Sequence, residues 1–155
     1  MCTTASATTD RPILLILTGE DCRNAAKAAF SHAKLAAKRL HVLQILTSNL
    51  YHYGHQDLVA TRPSKRQFLL YIRDEVLRSG EAEAQALKET AREMGISLEI
   101  CTIESEDIFS IALAEANKEY DTVFLPKQEK KLFPLFKPTL AEYLQKKTSS
   151  KIIPC

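Results

Sequence analysis

His52 and His55, together with Asp57, are side chains of the types that bind transition metals. Zinc and nickel both accept imidazole nitrogens and carboxylate oxygens as ligands. The three residues fall in a polar and aromatic segment, 48–62, whose composition is typical of a loop. A solvent-exposed loop explains these residues as well as a metal site does. We therefore predict no bound metal and keep His52 and His55 as the alternative.

The tetrapeptide His52-Tyr53-Gly54-His55 also has the His-x-Gly-His spacing found in nucleotidyltransferases. In those enzymes the motif opens the helix after the first strand, where its imidazoles stabilise a pentacovalent phosphate. Here the tetrapeptide follows the second predicted strand, and no lysine-serine signature accompanies it. We therefore predict no catalytic residue and no enzyme activity, with weak nucleotidyltransferase or ATPase activity as the alternative.

The four cysteines lack the spacing of a disulfide framework or a zinc site, because no two of them form a Cys-x-x-Cys pair. Cys22 is predicted at the start of the first helix, where unpaired backbone N–H groups favour a thiolate. It is therefore either a redox-sensing thiol or a passive residue of the helix terminus. Cys101 is predicted to be a small apolar filler on a strand.

Acidic residues gather after the first and third predicted strands, as Glu20, Asp21, Glu104, Glu106 and Asp107. Phosphoacceptor receiver domains use acids at these two places to hold Mg²⁺ and to accept a phosphoryl group. Their helices are shorter, however, whereas 64–94 would form a helix of about 46 Å. Helix capping and the helix dipole explain the same acids, so a phosphorylation switch is the less favoured interpretation.

Glycine is scarce, with four residues at 19, 54, 80 and 95 in the whole chain. A phosphate-binding loop needs two or three glycines within about eight residues, so that backbone N–H groups can approach an anion. The spacing here excludes the Walker and dinucleotide-binding loops. A formal net charge of +2, with 26% charged residues, is typical of a globular domain and gives no indication of nucleic-acid binding.

The elements that must position these side chains alternate between strand and helix. Continuous apolar runs predict strands at 12–18, 41–47, 122–125 and 151–153, the first of them buried on both faces. Alternation of apolar and mixed residues predicts a half-exposed edge strand at 96–103. Helical periodicity predicts helices at 21–39, 64–94, 107–119 and 138–147, the first of them capped by Asp21. Gly80 falls on the apolar stripe of the second helix, which indicates close packing against the sheet. Strands separated by helices pair in parallel, so the predicted fold class is α/β, a three-layer sandwich with five strands.

A length of 155 residues fits one domain. We expect residues 1–11 to be a flexible N-terminus and 12–155 to form a single domain. The apolar run from Ile13 to Leu17 is too short for a secretory signal or a membrane span. We therefore expect a cytoplasmic protein with no membrane or nucleic-acid partner.

From Pro12 to Pro154 the chain resembles a universal stress protein domain. The resemblance rests on the order and spacing of several segments: Gly19 after the first strand, the stretch 36–43 entering the second, a Tyr-bearing loop, Met94-Gly95 after the long helix, and the stretches 96–99 and 120–125. It implies strand order 3-2-1-4-5 in a Rossmann-like fold of the adenine nucleotide alpha hydrolase-like type. It also implies a cytoplasmic role in stress response and a homodimer formed through the last strands, here Ile152 and Ile153.

Family members that bind ATP carry an acid at the end of the first strand and the motif Gly-x-x-Gly-(nine residues)-Gly-Ser/Thr after the fourth. The acidic position falls on Thr18, and the glycines fall on Pro126, Glu129 and Thr139 (or Pro138). Proline donates no N–H, and Glu129 places a negative charge where a phosphate would lie. ATP binding through the glycine loop of the family is therefore not expected.

In sheets of this kind, ligands bind beyond the carboxyl ends of the strands. Segments 18–21, 48–62, 104–107 and 126–137 should meet there. The residues predicted to contact a cofactor are Thr18, Gly19, Glu20, Thr47, Lys127 and Lys130. No cofactor is expected, and ATP is the alternative, since the lysines after the fourth strand could hold its phosphates by another route.

Segment 130–137 replaces the glycine loop with apolar residues and lysines. It could fold onto the sheet edge, fill the nucleotide crevice, or dock a protein partner. The resulting prediction is a dimeric, non-enzymatic stress-response protein. The alternatives are a stress protein that binds ATP or AMP and a regulatory adaptor that acts through 130–137.

Overall fold

The computed structural model describes residues 10–19, 22–47, 62–127 and 138–155, except for the side chains of 62–65. Strands and helices alternate through these ranges. In chain order they are β1 (Ile13–Leu17), α1 (Arg23–Ala36), β2 (Leu40–Leu46), α2 (Arg62–Met94), β3 (Leu98–Glu104), α3 (Ile108–Ala116), β4 (Thr122–Leu125), α4 (Leu140–Lys147) and β5 (Lys151–Pro154).

The strands form one parallel sheet in the order β3-β2-β1-β4-β5. Leu15 at the centre of β1 lies opposite Val42 of β2 on one side and Phe124 of β4 on the other. This order confirms the predicted α/β fold class and strand arrangement. Because all strands run the same way, their carboxyl ends share one edge of the sheet.

Both faces of the sheet are covered, which explains the burial of β1. Its five residues are all buried, as expected for a continuous apolar run in the middle of a parallel sheet. Alternate residues face opposite sides. One side packs against Ala25, Ala29 and Phe30 of α1 and Leu87 and Ala91 of α2. The other side packs against Ala112 and Ala116 of α3 and Leu140 and Leu144 of α4.

Gly80 confirms the close contact between the second helix and the sheet. A Cβ atom at this position would lie 2.8 Å from Cδ1 and 2.9 Å from Cδ2 of Leu46 on β2. Such distances are shorter than a carbon–carbon contact permits. The absence of a side chain at Gly80 therefore lets α2 approach the end of β2.

Helix α1 ends earlier than the predicted residue 39. Ala37 adopts a left-handed backbone conformation, with φ of 51°, immediately after the last helical residue. The N–H of Lys38 then donates to the carbonyl of Ala33 over 3.0 Å, which closes the helix. Alanine has little preference for this conformation, so its sequence gives no signal for the stop.

The starts of two helices also differ from the prediction. Cys22 occupies the N-cap of α1 without a side-chain capping hydrogen bond, whereas we expected Asp21, which lies outside the described residues. Helix α4 begins at Leu140 and not at the predicted Pro138. Thr139 is its N-cap, and the side chains of Thr139 and Glu142 each accept a hydrogen bond from the other's backbone N–H in a capping box.

Candidate functional site

A cavity of about 740 Å³ opens at the carboxyl ends of β1 and β2. Helix α2 forms one wall, and Ile108 contributes the start of α3. Its size falls within the range typical of small-molecule sites. The predicted residues Thr18, Gly19 and Thr47 border it, as the strand-end rule requires. Their contact with a cofactor stays a prediction.

Thr18 is the most buried polar residue at the mouth of β1. It is 7% exposed and borders the cavity. No described residue forms a hydrogen bond with its side chain. Gly19, which follows it, has φ of 84° and turns the chain away from the strand. Thr18 therefore places a neutral residue beside the cavity, at the position where ATP-binding universal stress proteins carry an acid.

Gln44 fixes the position of the helical wall. It is buried on β2, and its Nε2 atom donates to the Gly80 carbonyl over 3.0 Å and to the Glu83 carboxylate over 2.7 Å. Its Oε1 atom accepts from the Thr102 hydroxyl over 3.0 Å. Both ends of the amide are therefore hydrogen-bonded, which orients it and with it Glu83.

The described lining of the cavity is acidic. Glu75, Glu83 and Glu106 contribute carboxylates, and no lysine or arginine occurs among the described residues that border it. Glu75 pairs with Arg78 over 3.3 Å on the exposed side of α2. Glu83 has a neutral amide as its partner. A phosphate would therefore find carboxylates and no cation among the described residues that border the cavity.

An ion pair joins α2 to the end of β3 close to the cavity. Arg73 donates from Nε to Oε1 of Glu104 over 2.9 Å and from a terminal nitrogen to Oε2 over 3.1 Å. The hydrogen bonds and the charge of Glu104 raise the pKa of Arg73 above its ordinary value. The guanidinium group thus holds α2 beside the end of β3 through two hydrogen bonds to one carboxylate.

The start of the missing glycine motif offers no free backbone donor. Pro126 is buried and has no N–H group. The N–H of Lys127 donates to the carbonyl of Cys155 over 2.6 Å, which extends the pairing of β4 with β5. The Lys127 side chain is exposed and does not border the cavity. Glu20, Glu129, Lys130 and the segment 130–137 lie outside the described residues.

The metal and cysteine predictions have different outcomes. His52 and His55 lie outside the described residues, and no group of three or more potential ligands suited to a metal ion occurs within the described ranges. Cys22 is 7% exposed and packs in the core, which favours the passive residue of the helix terminus over the redox-sensing thiol. Cys101 is exposed and not an apolar filler, because β3 is an edge strand and this residue borders an open groove.

A second polar cluster, which sequence reasoning missed, lies where α3 ends beside the start of β2. The Tyr120 hydroxyl donates to Oε1 of Glu115 and lies 3.2 Å from Nδ1 of His41. Lys118 donates to Oε2 of Glu115 over 2.7 Å. His41 also lies 3.4 Å from Glu99 of β3.

The charges in this cluster stabilise one another. Burial works against ionisation of Glu115, but the hydrogen bonds from Lys118 and Tyr120 outweigh it and lower the pKa of Glu115. Burial and the neighbouring Glu115 raise the pKa of Tyr120. The contact between His41 and Tyr120 spans 79 residues of sequence, so no local motif could have revealed it.

The two residues predicted at a dimer interface lie on the edge strand β5. Ile152 is buried within the core of its own chain, and Ile153 is half-buried. Strand β5 pairs with β4 on one side and leaves its other edge without a strand among the described residues.

Within the described ranges, no helix combines the length and the apolar character needed to cross a bilayer. No protein-family model matches the sequence, and no curated protein sequence matches it either.

Solved structures, by contrast, resemble the fold closely. A member of the universal stress protein family from Burkholderia pseudomallei is 17% identical, with a TM-score of 0.62 over 95% of this chain and 98% of that one. A universal stress protein from Lactobacillus plantarum is 15% identical, with a TM-score of 0.57 over 93% and 97%. One from Arabidopsis thaliana, solved with AMP bound, is 11% identical, with a TM-score of 0.54 over 92% and 90%. This chain therefore has the universal stress protein fold, a Rossmann-like sheet of the adenine nucleotide alpha hydrolase-like type.

Proposed function

We propose that this protein is a cytoplasmic, dimeric, non-enzymatic stress-response protein that does not bind ATP through a glycine loop. The fold supports the universal stress protein part of the proposal. The crevice chemistry supports the loss of triphosphate binding.

One observation carries the proposal. At positions 126 and 127 the backbone presents no free N–H group, since Pro126 has none and that of Lys127 donates to Cys155. A triphosphate held by a glycine loop depends on such donors. The described residues that border the cavity also include carboxylates, and no lysine or arginine, to meet the phosphates.

The test is a thermal melt of the protein with Mg²⁺ and millimolar ATP. Saturating a site at 100 times its dissociation constant would add about 2.7 kcal/mol. For a domain of this size that shift is roughly 5–11 °C in melting temperature. We expect no shift, and one of several degrees would contradict the proposal.

AMP binding is the second candidate function. The Arabidopsis thaliana protein of the same fold was solved with AMP bound, and the cavity here is large enough for a nucleoside. AMP needs fewer backbone N–H donors than ATP does, because it carries one phosphate and not three. Melts with AMP alongside ATP separate the two cases: a shift with AMP alone supports this candidate.

Dimerisation through the last strands is part of the proposal. An edge strand with free N–H and C=O groups favours pairing with a second copy. Sedimentation velocity should give a mass of two chains for wild type. Ile153→Asp should shift it towards one chain, because a carboxylate would be placed in the interface, while Lys151→Asp on the same strand controls for the charge change. A wild-type protein that sediments as a single chain would contradict the proposed dimer.

A regulatory adaptor that docks a protein through 130–137 remains the third candidate. The apolar residues of this segment, including Phe133 and Phe136, favour the adaptor function. Segment 130–137 lies outside the described residues.

A further inference from the structure

His41 lies between two oxygen atoms that belong to different elements. Its Nδ1 atom is 3.2 Å from the hydroxyl oxygen of Tyr120, and its Nε2 atom is 3.4 Å from Oε2 of Glu99 on β3. The rings of His41 and Tyr120 are nearly perpendicular, with 5.6 Å between their centroids. We propose that His41 is a pH-sensitive link, which in its imidazolium form ties the edge strand β3 to the segment that follows α3. This inference goes beyond the proposed function and does not depend on what the crevice binds.

The single proton of the Tyr120 hydroxyl is already committed. It is donated to Oε1 of Glu115, whose other oxygen accepts from Lys118 over 2.7 Å. Burial opposes the ionisation of Glu115, but these hydrogen bonds outweigh it and lower the pKa of Glu115, so the acceptor is a carboxylate. Burial, together with Glu115, raises the pKa of Tyr120, so the donor keeps its proton. The oxygen of Tyr120 can therefore only accept from His41, and Nδ1 must carry a hydrogen.

The other ring nitrogen of His41 faces a carboxylate. A neutral imidazole with its hydrogen on Nδ1 has a lone pair on Nε2, which would lie 3.4 Å from a negative oxygen of Glu99. The opposite tautomer would suit Glu99 but would set a lone pair against the oxygen of Tyr120. Only the imidazolium, with a hydrogen on each nitrogen, satisfies both neighbours at once.

The charged groups around the ring come from β3, α3 and the segment after α3. Glu99 and Glu115 are acidic, Lys118 is basic, and the thiol of Cys101 on β3 borders the same groove. Strand β1 contributes no charged group to the lining of this groove. Arg39, which precedes β2, is exposed and does not border the groove. The acids outnumber the cation, so these surroundings favour a positive imidazole.

Loss of the proton from His41 therefore removes one of its two contacts. His41 and Glu99 are paired in the register of β2 with β3, and β3 has a strand on one side only among the described residues. A folded chain that favours the imidazolium holds this proton more firmly than the unfolded chain does. The link therefore stabilises the protein at mildly acid pH, and this contribution is lost as the pH rises.

NMR of the ring nitrogens in the ¹⁵N-labelled full chain reports the charge and the tautomer of each histidine. We expect His41 to stay an imidazolium to a higher pH than His32, whose Nε2 lies 4.0 Å from an Asp121 carboxylate that Lys38 already pairs over 3.0 Å. Loss of a signal in His41→Gln identifies the ring of His41. A His41 ring that becomes neutral at the same pH as His32, or at a lower one, would overturn the proposal.

The stability of the fold should depend on the same proton. Urea unfolding of wild type and His41→Gln at pH 6 and pH 8 gives the folding equilibrium constant of each protein. The ratio of wild type to variant should fall by about threefold or more between pH 6 and pH 8, because glutamine cannot gain a charge. His32→Gln is the matched control and should show a smaller change. A ratio for His41→Gln that is the same at both pH values would contradict the link, and the wild-type titration decides the matter if a variant does not fold.

Three variants test the two contacts of the ring. Glu99→Gln should make His41 lose its proton at a lower pH, whereas Glu93→Gln, on an exposed part of α2 outside the groove, should leave the titration unchanged. The neutral ring that forms at high pH should carry its hydrogen on Nδ1 in wild type and lose this preference in Tyr120→Phe. An unchanged titration in Glu99→Gln, or a neutral wild-type ring with its hydrogen on Nε2, would overturn the assignment.

Discussion

The amide of Gln44 holds the carboxylate of Glu83 at 2.7 Å and thereby joins the buried strand β2 to the exposed helix α2. The same nitrogen donates to the Gly80 carbonyl, and Thr102 donates to the amide oxygen. A polar side chain that is 1% exposed in the centre of a sheet is tolerated because its hydrogen-bonding groups are used. These hydrogen bonds of Gln44 therefore fix the position of α2, which forms one wall of the crevice.

Gln44→Met should lower the free energy of unfolding by about 1–3 kcal/mol, since methionine has similar length but leaves polar partners unpaired. Urea unfolding followed by circular dichroism measures the change. Gln85→Met removes a hydrogen bond of Gln85 to Glu89 on the exposed side of α2 and should cost less than about 0.5 kcal/mol. Equal losses of unfolding free energy in both variants would show that the buried hydrogen bonds of Gln44 stabilise the protein no more than the exposed one of Gln85.

Gln44→Glu should destabilise the protein more at pH 7 than at pH 4. It places a second carboxylate beside Glu83, and protonation at acid pH relieves the repulsion between them. The difference in unfolding free energy between Gln44→Glu and Gln44→Met, measured at both pH values, should therefore shrink on acidification.

Tyr120→Phe should lower the unfolding free energy at pH 7 by about 1–2 kcal/mol, because it removes the hydrogen bond to the Glu115 carboxylate. That bond, with the one from Lys118, lowers the pKa of Glu115 against the effect of burial. A carboxyl group with a lowered folded-state pKa stabilises the protein above its unfolded pKa, and this contribution is lost as pH falls through the folded value.

Wild type should therefore lose more stability than Tyr120→Phe when the pH falls from about 5 towards 3. Urea unfolding at several pH values measures both curves. Tyr143→Phe is the matched control, because Tyr143 contacts Phe109 through its ring and no bond of its hydroxyl to Glu115 exists. Parallel acid curves for wild type and Tyr120→Phe would rule out this role of the hydroxyl.

Ala37→Gly should raise the unfolding free energy by about 0.5–1 kcal/mol, because glycine adopts the left-handed conformation without the steric cost of a Cβ atom. Ala36→Gly, within the last turn of α1, should lower it by about 1 kcal/mol. Thermal or urea unfolding of the two variants decides the question. A loss of stability in Ala37→Gly would mean that the greater freedom of the unfolded chain outweighs the relief.

Pro126→Gly alone should not create ATP binding. The N–H group that it introduces is followed by that of Lys127, which donates to Cys155, and Glu129 remains in the loop. A melt with Mg²⁺ and ATP should show no shift for this variant, although its unfolding free energy falls by roughly 1 kcal/mol through the added chain freedom. Gain of a clear ATP-dependent shift would prove that the proline was the main obstacle.

Much of the fold could be predicted from the pattern of apolar residues. The continuous run of β1 indicated a strand buried on both faces, and the alternation in β3 indicated an edge strand; both are confirmed. Gly80 indicated close packing, which the distance to Leu46 confirms. The end of α1 escaped prediction because Ala37 adopts a left-handed conformation that alanine does not favour.

The site was predictable only in part. Thr18, Gly19 and Thr47 followed from the rule that ligand crevices lie at strand ends. The helical residues Glu75, Ser79 and Glu83 were missed, because the prediction assigned the crevice to loops alone. Helix α2 has 33 residues and runs past the strand ends. Its polar side chains in that part therefore line the cavity, whereas their periodicity alone predicts only a solvent-exposed helix face.

The missing side chain at position 80 makes the shape of the crevice adjustable without a substitution at the strand ends. One added methyl group would force the isobutyl end of Leu46 to rotate, and Leu46 borders the cavity. Substitution of Gly80 by alanine would therefore change the width of the cavity from its helical wall, through the displaced side chain of Leu46.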